Sequence, residues 1–274
     1  MKKILIVFDV FVLVAIVGVL CIGAAKYHSI KELVGGGKCL YSMLDNDLEY
    51  FRSMEQYQNR LTYRTYSLGL DSLKKVVVLG NSITRHGVRE DVGWLSDYGM
   101  AASSSDSDFC HVLQDSLRYK YPDVVVVPKN IAEWERDFSI DKDSLLGAAV
   151  DGADVVIIRL GENIPSSSVP HIPDAVSSLV DYVKGVSGAS VVITGCFWLS
   201  FNKDAMLRRA AASLDLPYIS LNFADHTYNK AVNGGDATDT LGNVYHFDGE
   251  FVGSHPNDSG MKAIANALLP LFYY

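Results

Sequence analysis

Four consecutive branched apolar residues, Val76-Val77-Val78-Leu79, run directly into Gly80-Asn81-Ser82-Ile83-Thr84. A run without polar alternation has both faces covered, the pattern of a strand inside a parallel sheet. Glycine then breaks the strand, and Ser82 sits just past its carboxyl end. Ligands of open α/β sheets bind outside that end, so this stretch implies a layered α/β fold and puts a serine where chemistry occurs. Taken alone, a serine after a glycine turn is more often a turn or a helix cap than a nucleophile. What raises Ser82 above that reading is a later Gly, Asn and His, each placed just after a strand or before a helix.

From Lys75 onward strands and helices alternate. The strands expected are Val76 to Leu79, Val124 to Val127, Val155 to Leu160, Val191 to Thr194 and Tyr218 to Leu221. Between and after them lie amphipathic stripes: Phe109, Val112, Leu113 and Leu117; Val176, Leu179, Val180 and Val183; Ala205 to Leu214; and Met261, Ile264, Ala265 and Leu268. Short apolar strands separated by helices of this length make βαβ units. Right-handed crossovers then bring every strand's carboxyl end to one edge. The expected fold is a three-layer α/β/α sandwich with a parallel, flavodoxin-like five-stranded sheet, one domain over 75–274.

The chain carries a net charge of −8, and no run of lysine or arginine appears, which argues against a nucleic-acid surface. At the amino end Lys2 and Lys3 precede an apolar run from Ile4 to Ala25, broken only by Asp9. Such a run is about long enough to cross a bilayer, and it exceeds the usual apolar region of a cleaved signal. An uncleaved transmembrane anchor is therefore expected over 1–25, although Ala24 and Ala25 would suit a cleavage site. The paired lysines hold the amino end inside, leaving the remainder extracytoplasmic, membrane-bound or secreted if cleavage occurs. Residues 26–74 read as a juxtamembrane segment. In it Tyr41 to Tyr66 is expected to be helical, with Leu44, Leu48, Phe51 and Met54 on one apolar stripe. Beyond the anchor Cys39, Cys110 and Cys196 permit one disulfide at most, and buried or unpaired thiols are the favoured reading.

The remaining blocks fall on the active edge. Gly99 lies in Asp97-Tyr98-Gly99-Met100-Ala101-Ala102-Ser103, Asn163 in Arg159-Leu160-Gly161-Glu162-Asn163, and His255 in Gly253-Ser254-His255-Pro256-Asn257-Asp258. With Ser82, these four blocks in this order resemble those of the SGNH (GDSL-type) hydrolases, over roughly residues 75 to 274. The resemblance implies ester hydrolysis by Ser82 as nucleophile and His255 as base. It implies oxyanion donors at the backbone N–H groups of Ser82 and Gly99 and the amide of Asn163. The Gly-x-Ser-x-Gly elbow of other α/β-hydrolases does not fit, because Thr84 stands at its second glycine.

Three departures from the family pattern matter. Asn81 replaces the Asp usual before the serine, and Ile164 the Asp that often follows the Asn. Val252 occupies the position, three before the histidine, where the family carries an orienting Asp. Either a backbone carbonyl holds His255, giving a Ser–His dyad, or Asp248 or Glu250 takes over; the dyad is favoured. His86 is close to Ser82 in sequence but shares its tight loop and ranks below His255. His226 and His246, with Asp225 and Asp248, match no compact metal motif, so neither a metal nor another cofactor is expected.

The resemblance allows acetyl esters of glycans, short acyl esters and lipid thioesters. An external location and the lack of an apolar lid segment near Ser82 favour a small acyl group on a polar carrier, with Trp94, Tyr98 and Trp198 available to stack on sugars. The expected activity is that of a carbohydrate O-acetylesterase. The alternatives are a lipase or thioesterase, which needs an elongated apolar groove, and a non-catalytic glycan-binding protein that keeps the fold.

Overall fold

The structure, a computed structural model, describes residues 38–273, with side chains from Leu48 onward except that of Phe223. The expected anchor over 1–25 lies outside the described residues. Among the described residues no helix is long and apolar enough to cross a membrane. The chain divides into two units, Met1–Tyr50 and Phe51–Tyr274. Of the first, the described part is the opening of helix α1 (Lys38–Thr65).

The second unit is built on the Val76–Leu79 run. Strand β1 (Lys75–Gly80) lies inside the sheet, with its four apolar side chains fully buried. It pairs in parallel with β2 (Val125–Asn130) on one side and β3 (Val155–Ile158) on the other. Strands β4 (Ser190–Thr194) and β5 (Tyr218–Ile219) complete a parallel sheet of order β2-β1-β3-β4-β5. All five expected strands are present, within a few residues at their ends.

Alternation along β1 splits the core into two layers. Val76 and Val78 face helices α2 (Phe109–Arg118) and α8 (Asp258–Leu268), meeting Phe109, Leu113, Met261 and Ile264. Val77 and Leu79 face α5 (Ile172–Ser187) and α6 (Phe201–Ser213), through Val176, Leu179, Val180 and Leu207. Between β2 and β3 the chain makes two short helices, α3 (Ala132–Arg136) and α4 (Lys142–Leu146). Near the carboxyl end α7 (Glu250–Gly253) precedes α8, and α9 (Pro270–Tyr273) closes the described chain.

Both sheet edges are protected from pairing with another chain. On β2, Pro128 stands where only an edge strand tolerates it. Beside β5, the Asn59 side chain of α1 donates to Ser220 O (2.9 Å) and accepts from Ser220 N (2.8 Å), imitating one rung of a strand. The helix expected over Tyr41 to Tyr66 is present, but its stripe differs. Phe51 packs edge-on against Phe201, with ring centroids 5.1 Å apart, whereas Met54 is exposed. Farther along α1 the inward face is Glu55, Asn59 and Tyr63: Glu55 pairs with Arg208, Asn59 bonds the backbone beside β5, and Tyr63 enters the core with its hydroxyl donating to Ala267 O.

A hairpin, β6 (Gly235–Thr238) with β7 (Val244–Phe247), was not expected from the sequence. Gly-Asp-Ala-Thr has neither alternation nor β-branched density. Its partners explain its presence. Tyr245 Oη accepts from Leu95 N, and Thr238 O accepts from Ser96 Oγ and Tyr98 Oη. The hairpin thereby fixes the loop that leads into Gly99. Cys110 and Cys196 are both buried free thiols.

Candidate active site

Gly80 ends β1 because the chain must turn back on itself: a Cβ there would collide with the Thr84 side chain. The turn leaves Ser82 partly exposed at the carboxyl edge. His255 reaches it from the segment between α7 and α8, and Ser82 Oγ lies 2.9 Å from His255 Nε2. The other ring nitrogen, Nδ1, lies 2.9 Å from the backbone oxygen of Phe251. A carbonyl can only accept, so Nδ1 carries the hydrogen and Nε2 is free to accept from the serine hydroxyl. The tautomer is thus set for a base.

The short helix α7 makes this arrangement. The last carbonyls of any helix lack intrahelical donors. His255 supplies two, its N–H to Val252 O and its ring to Phe251 O. Asp248 and Glu250 are exposed and make no bond to the imidazole, while Val252 is fully buried in the core. Trp198 packs edge-on against the imidazole at 5.3 Å, and its indole N–H donates to Ser254 O at 2.8 Å. This burial pushes the His255 pKa down to about 4, only partly offset by the Phe251 carbonyl.

Opposite His255 the support is charged. Asn163, just past β3, donates its side-chain amide to Glu135 Oε2 at 2.6 Å. The same carboxyl group accepts from Gly161 N at 2.6 Å and from Asn81 Nδ2. Asn81 Nδ2 also donates to Glu162 Oε2 at 2.7 Å, while Asn81 Oδ1 accepts from Arg159 at 2.8 Å. Arg159 pairs in turn with Glu162, and both are withdrawn from solvent. Burial, then the charge of Glu162, holds the Glu135 pKa up. Burial also works against ionised Glu162, but Arg159 and the Phe197 N–H outweigh it and leave that pKa lowered. Asn81 therefore suits its place: it donates to both carboxyl groups, whereas an Asp would bring a third carboxylate into the cluster.

The expected oxyanion donors are placed unequally. Ser82 N–H makes no hydrogen bond among the described residues. Asn163 has one amide hydrogen on Glu135 and a second to give. The Gly99 N–H is instead directed at Asp108 Oδ2, 3.3 Å away. Glycine is required at 99 for another reason: a Cβ would lie 2.7 Å from Ile83 O, so the loop packs against the nucleophile's turn.

Trp94 and Tyr98, available in the sequence either to stack on sugars or to serve the structure, are core residues: Trp94 is fully buried and packs edge-on with Tyr98, Tyr245 and Phe247. Trp198 braces His255 instead. His86 makes no bond to Ser82; its ring nitrogen faces Gly87 O. Glu135 was missed in the sequence. Its one signal there was an acidic residue in a short amphipathic segment after β2, which usually marks a solvated face.

A cleft of about 570 Å³ opens above Ser82 and Asn163. Its walls include Lys129, Asn130, Glu133, Arg136 and Ser144, with Ile140, Leu145 and Phe251 as the apolar part.

No family model matches this chain, and no curated protein matches it. Among solved structures it is similar to enzymes of the class that the four blocks resemble. A two-domain esterase active on acetylated mannans, crystallised with mannopentaose, has 18% identity over 78% of this chain and a TM-score of 0.48; the chain spans 52% of that esterase. A family two carbohydrate esterase from Clostridium thermocellum, in complex with cellohexaose, has 13% identity over 73% of this chain and 63% of its own, with a TM-score of 0.42. A member of the lipolytic G-D-S-L family from Veillonella parvula has 13% identity over 73% of this chain and 98% of its own, also with a TM-score of 0.42. At these TM-scores the chemistry rests on the site geometry alone.

Proposed function

We propose that this chain is a serine ester hydrolase of the SGNH type, acting on small acyl esters, O-acetyl above all, carried by carbohydrate. The observation that carries this reading is the 2.9 Å contact of Ser82 Oγ with a His255 whose tautomer is fixed for proton acceptance. As Ser82 Oγ bonds to the ester carbonyl carbon, its proton passes to Nε2. The carbonyl oxygen, now an oxyanion, takes the free N–H of Ser82 and the second amide hydrogen of Asn163. Collapse expels the alcohol, protonated by His255, and leaves an acyl-serine. Water, activated by the same imidazole, then releases the acid.

The cleft supports a polar carrier. Its lining is mostly polar side chains, and among the described residues Ile140, Leu145 and Phe251 are the only large apolar ones on it, fewer than a site for a fatty acyl chain needs. The lipase and thioesterase readings are therefore second. Localisation outside the cytoplasm, by an anchor or cleaved signal over 1–25, belongs to the same proposal and rests on Lys2, Lys3 and the apolar run alone. Protease treatment of intact cells tests it.

The activity is tested with a fluorophosphonate probe. Wild type should label covalently and hydrolyse acetylated sugars, and Ser82→Ala should do neither while keeping its circular dichroism. If both proteins hydrolyse the esters equally slowly and neither labels, the fold serves glycan binding instead.

A further inference from the structure

We infer that the group recognised in this cleft is anionic: the ester acted on sits on a carrier bearing a carboxylate or phosphate beside the acylated position. The inference rests on the reading of the Ser82 cleft as the substrate site, and it narrows the class of substrate.

The topology places the cations. In the register of β1 with β2, Lys129 pairs with Leu79 and Asn130 with Gly80, so the end of β2 lies alongside the approach to Ser82. One turn later α3 adds Arg136, and both cations line the same cleft as Ser82 and Asn163. Neither the Lys129 nor the Arg136 side chain makes a hydrogen bond or ion pair among the described residues. Arg89, also on the wall, is already paired with Asp91. The lining holds one acid, Glu133, so the cleft keeps an excess of positive charge in a chain whose net charge is −8.

That contrast has a physical consequence. Acidic residues outnumber basic ones in this chain, 32 to 24, yet Lys129 is half-buried and unpartnered at the cleft wall. A cation held on a concave wall without a counterion is complemented by a bound anion. A concave wall of one sign also draws in ligands of the opposite sign. A carboxylate and a phosphate both meet this need, and Arg136 offers either one a bidentate fork. A neutral glycan would leave both cations unanswered.

The test separates this inference from the esterase reading by using protein that cannot turn over. Ser82→Ala protein is titrated with glucuronate, glucose 6-phosphate and glucose, followed by amide chemical shifts. At least one anion should bind roughly tenfold tighter than glucose, the scale of two partly exposed ion pairs. Which of the two binds better identifies the anion. Adding Lys129→Gln and Arg136→Gln should bring that preference down to that of glucose, and salt should weaken it in the parent. Equal binding of all three, no measurable binding of any, or an anion preference that survives the double substitution would overturn the inference. None of these outcomes bears on whether Ser82 labels with the serine probe.

Discussion

The two supports that flank Ser82 are built from opposite materials. His255 is held by the carbonyl at a helix end and by an indole, with no carboxylate bonded to it among the described residues. Asn163 is held by a buried carboxyl group, itself part of a cluster with Asn81, Arg159 and Glu162. Among the described residues no carboxylate stands behind the histidine as a triad's would, while an acid lies behind the proposed oxyanion donor on the other side. The difference shows that orientation and charge are separable duties. A carbonyl suffices to choose the tautomer, but it stabilises the imidazolium less than a carboxylate does. A strong acceptor behind Asn163 fixes the direction of the amide that, in the proposed mechanism, meets the developing negative charge.

The largest effect is expected where the charged support meets the reaction. Asn163→Ala should slow acetyl-ester turnover by roughly 10²–10³, through kcat more than KM, while still permitting serine labelling. Glu135→Gln should lower kcat by about 10–10², since a Gln cannot accept from every donor now served by the carboxyl group. Combined, the two changes should cost little more than Asn163→Ala alone, because Glu135 acts through Asn163. Steady-state kinetics on all three variants gives the answer. Additive losses would break the comparison by showing that Glu135 has its own separate effect.

Next comes the balance of charge within that cluster. Asn81→Asp restores the residue usual in the family but removes the donor that bridges Glu135 and Glu162, and it adds a third carboxylate. We expect a loss of about 3 kcal/mol or more in stability at neutral pH, measured by denaturant unfolding. Unchanged stability would mean that the cluster tolerates the extra charge by taking up a proton.

How much of this was legible in the sequence follows from the distance over which each residue acts. Val76 to Leu79 and its fellow strands announce themselves by local composition, and Ser82, Asn163 and His255 by position at strand and helix ends. The five-stranded sheet and the meeting of Ser82 with His255 were readable for that reason. Glu135 and the Asn59 rung on β5 bond to residues 26 or more positions away, and no local pattern marks them. Trp94 and Tyr98 misled because a loop aromatic looks alike whether it faces solvent or a hairpin that only the fold reveals. Gly99 was placed correctly in its loop, but the direction of its N–H depends on Asp108, which the sequence does not show as its neighbour.

The apolar side predicts a displaced pH profile. The base works only when neutral, so activity should fall as pH drops through the His255 pKa. With that pKa at about 4 rather than near 6.5, the acid limb of kcat/KM should appear close to pH 4, with activity flat from there to neutrality. A limb between 6 and 7 in kcat/KM would show that burial does not depress the imidazole of the free enzyme, and the apolar support would lose its distinguishing effect.

The smallest expected effect is the one that isolates the apolar side. Asp248 and Glu250 are the acids nearest in sequence to His255, and both point into solvent with no contact to the ring. Asp248→Asn and Glu250→Gln, singly and together, should leave kcat within about twofold, since an exposed charge in water contributes little at a distance. The same proteins should keep the acid limb where wild type has it, because the pKa of His255 is governed by burial and by the Phe251 carbonyl. A fall of about 10⁴ in kcat from either substitution would mean that the acid swings in to orient the imidazole during turnover. The base would then be charge-supported like the oxyanion donor, and the asymmetry about Ser82 would belong to the resting state alone.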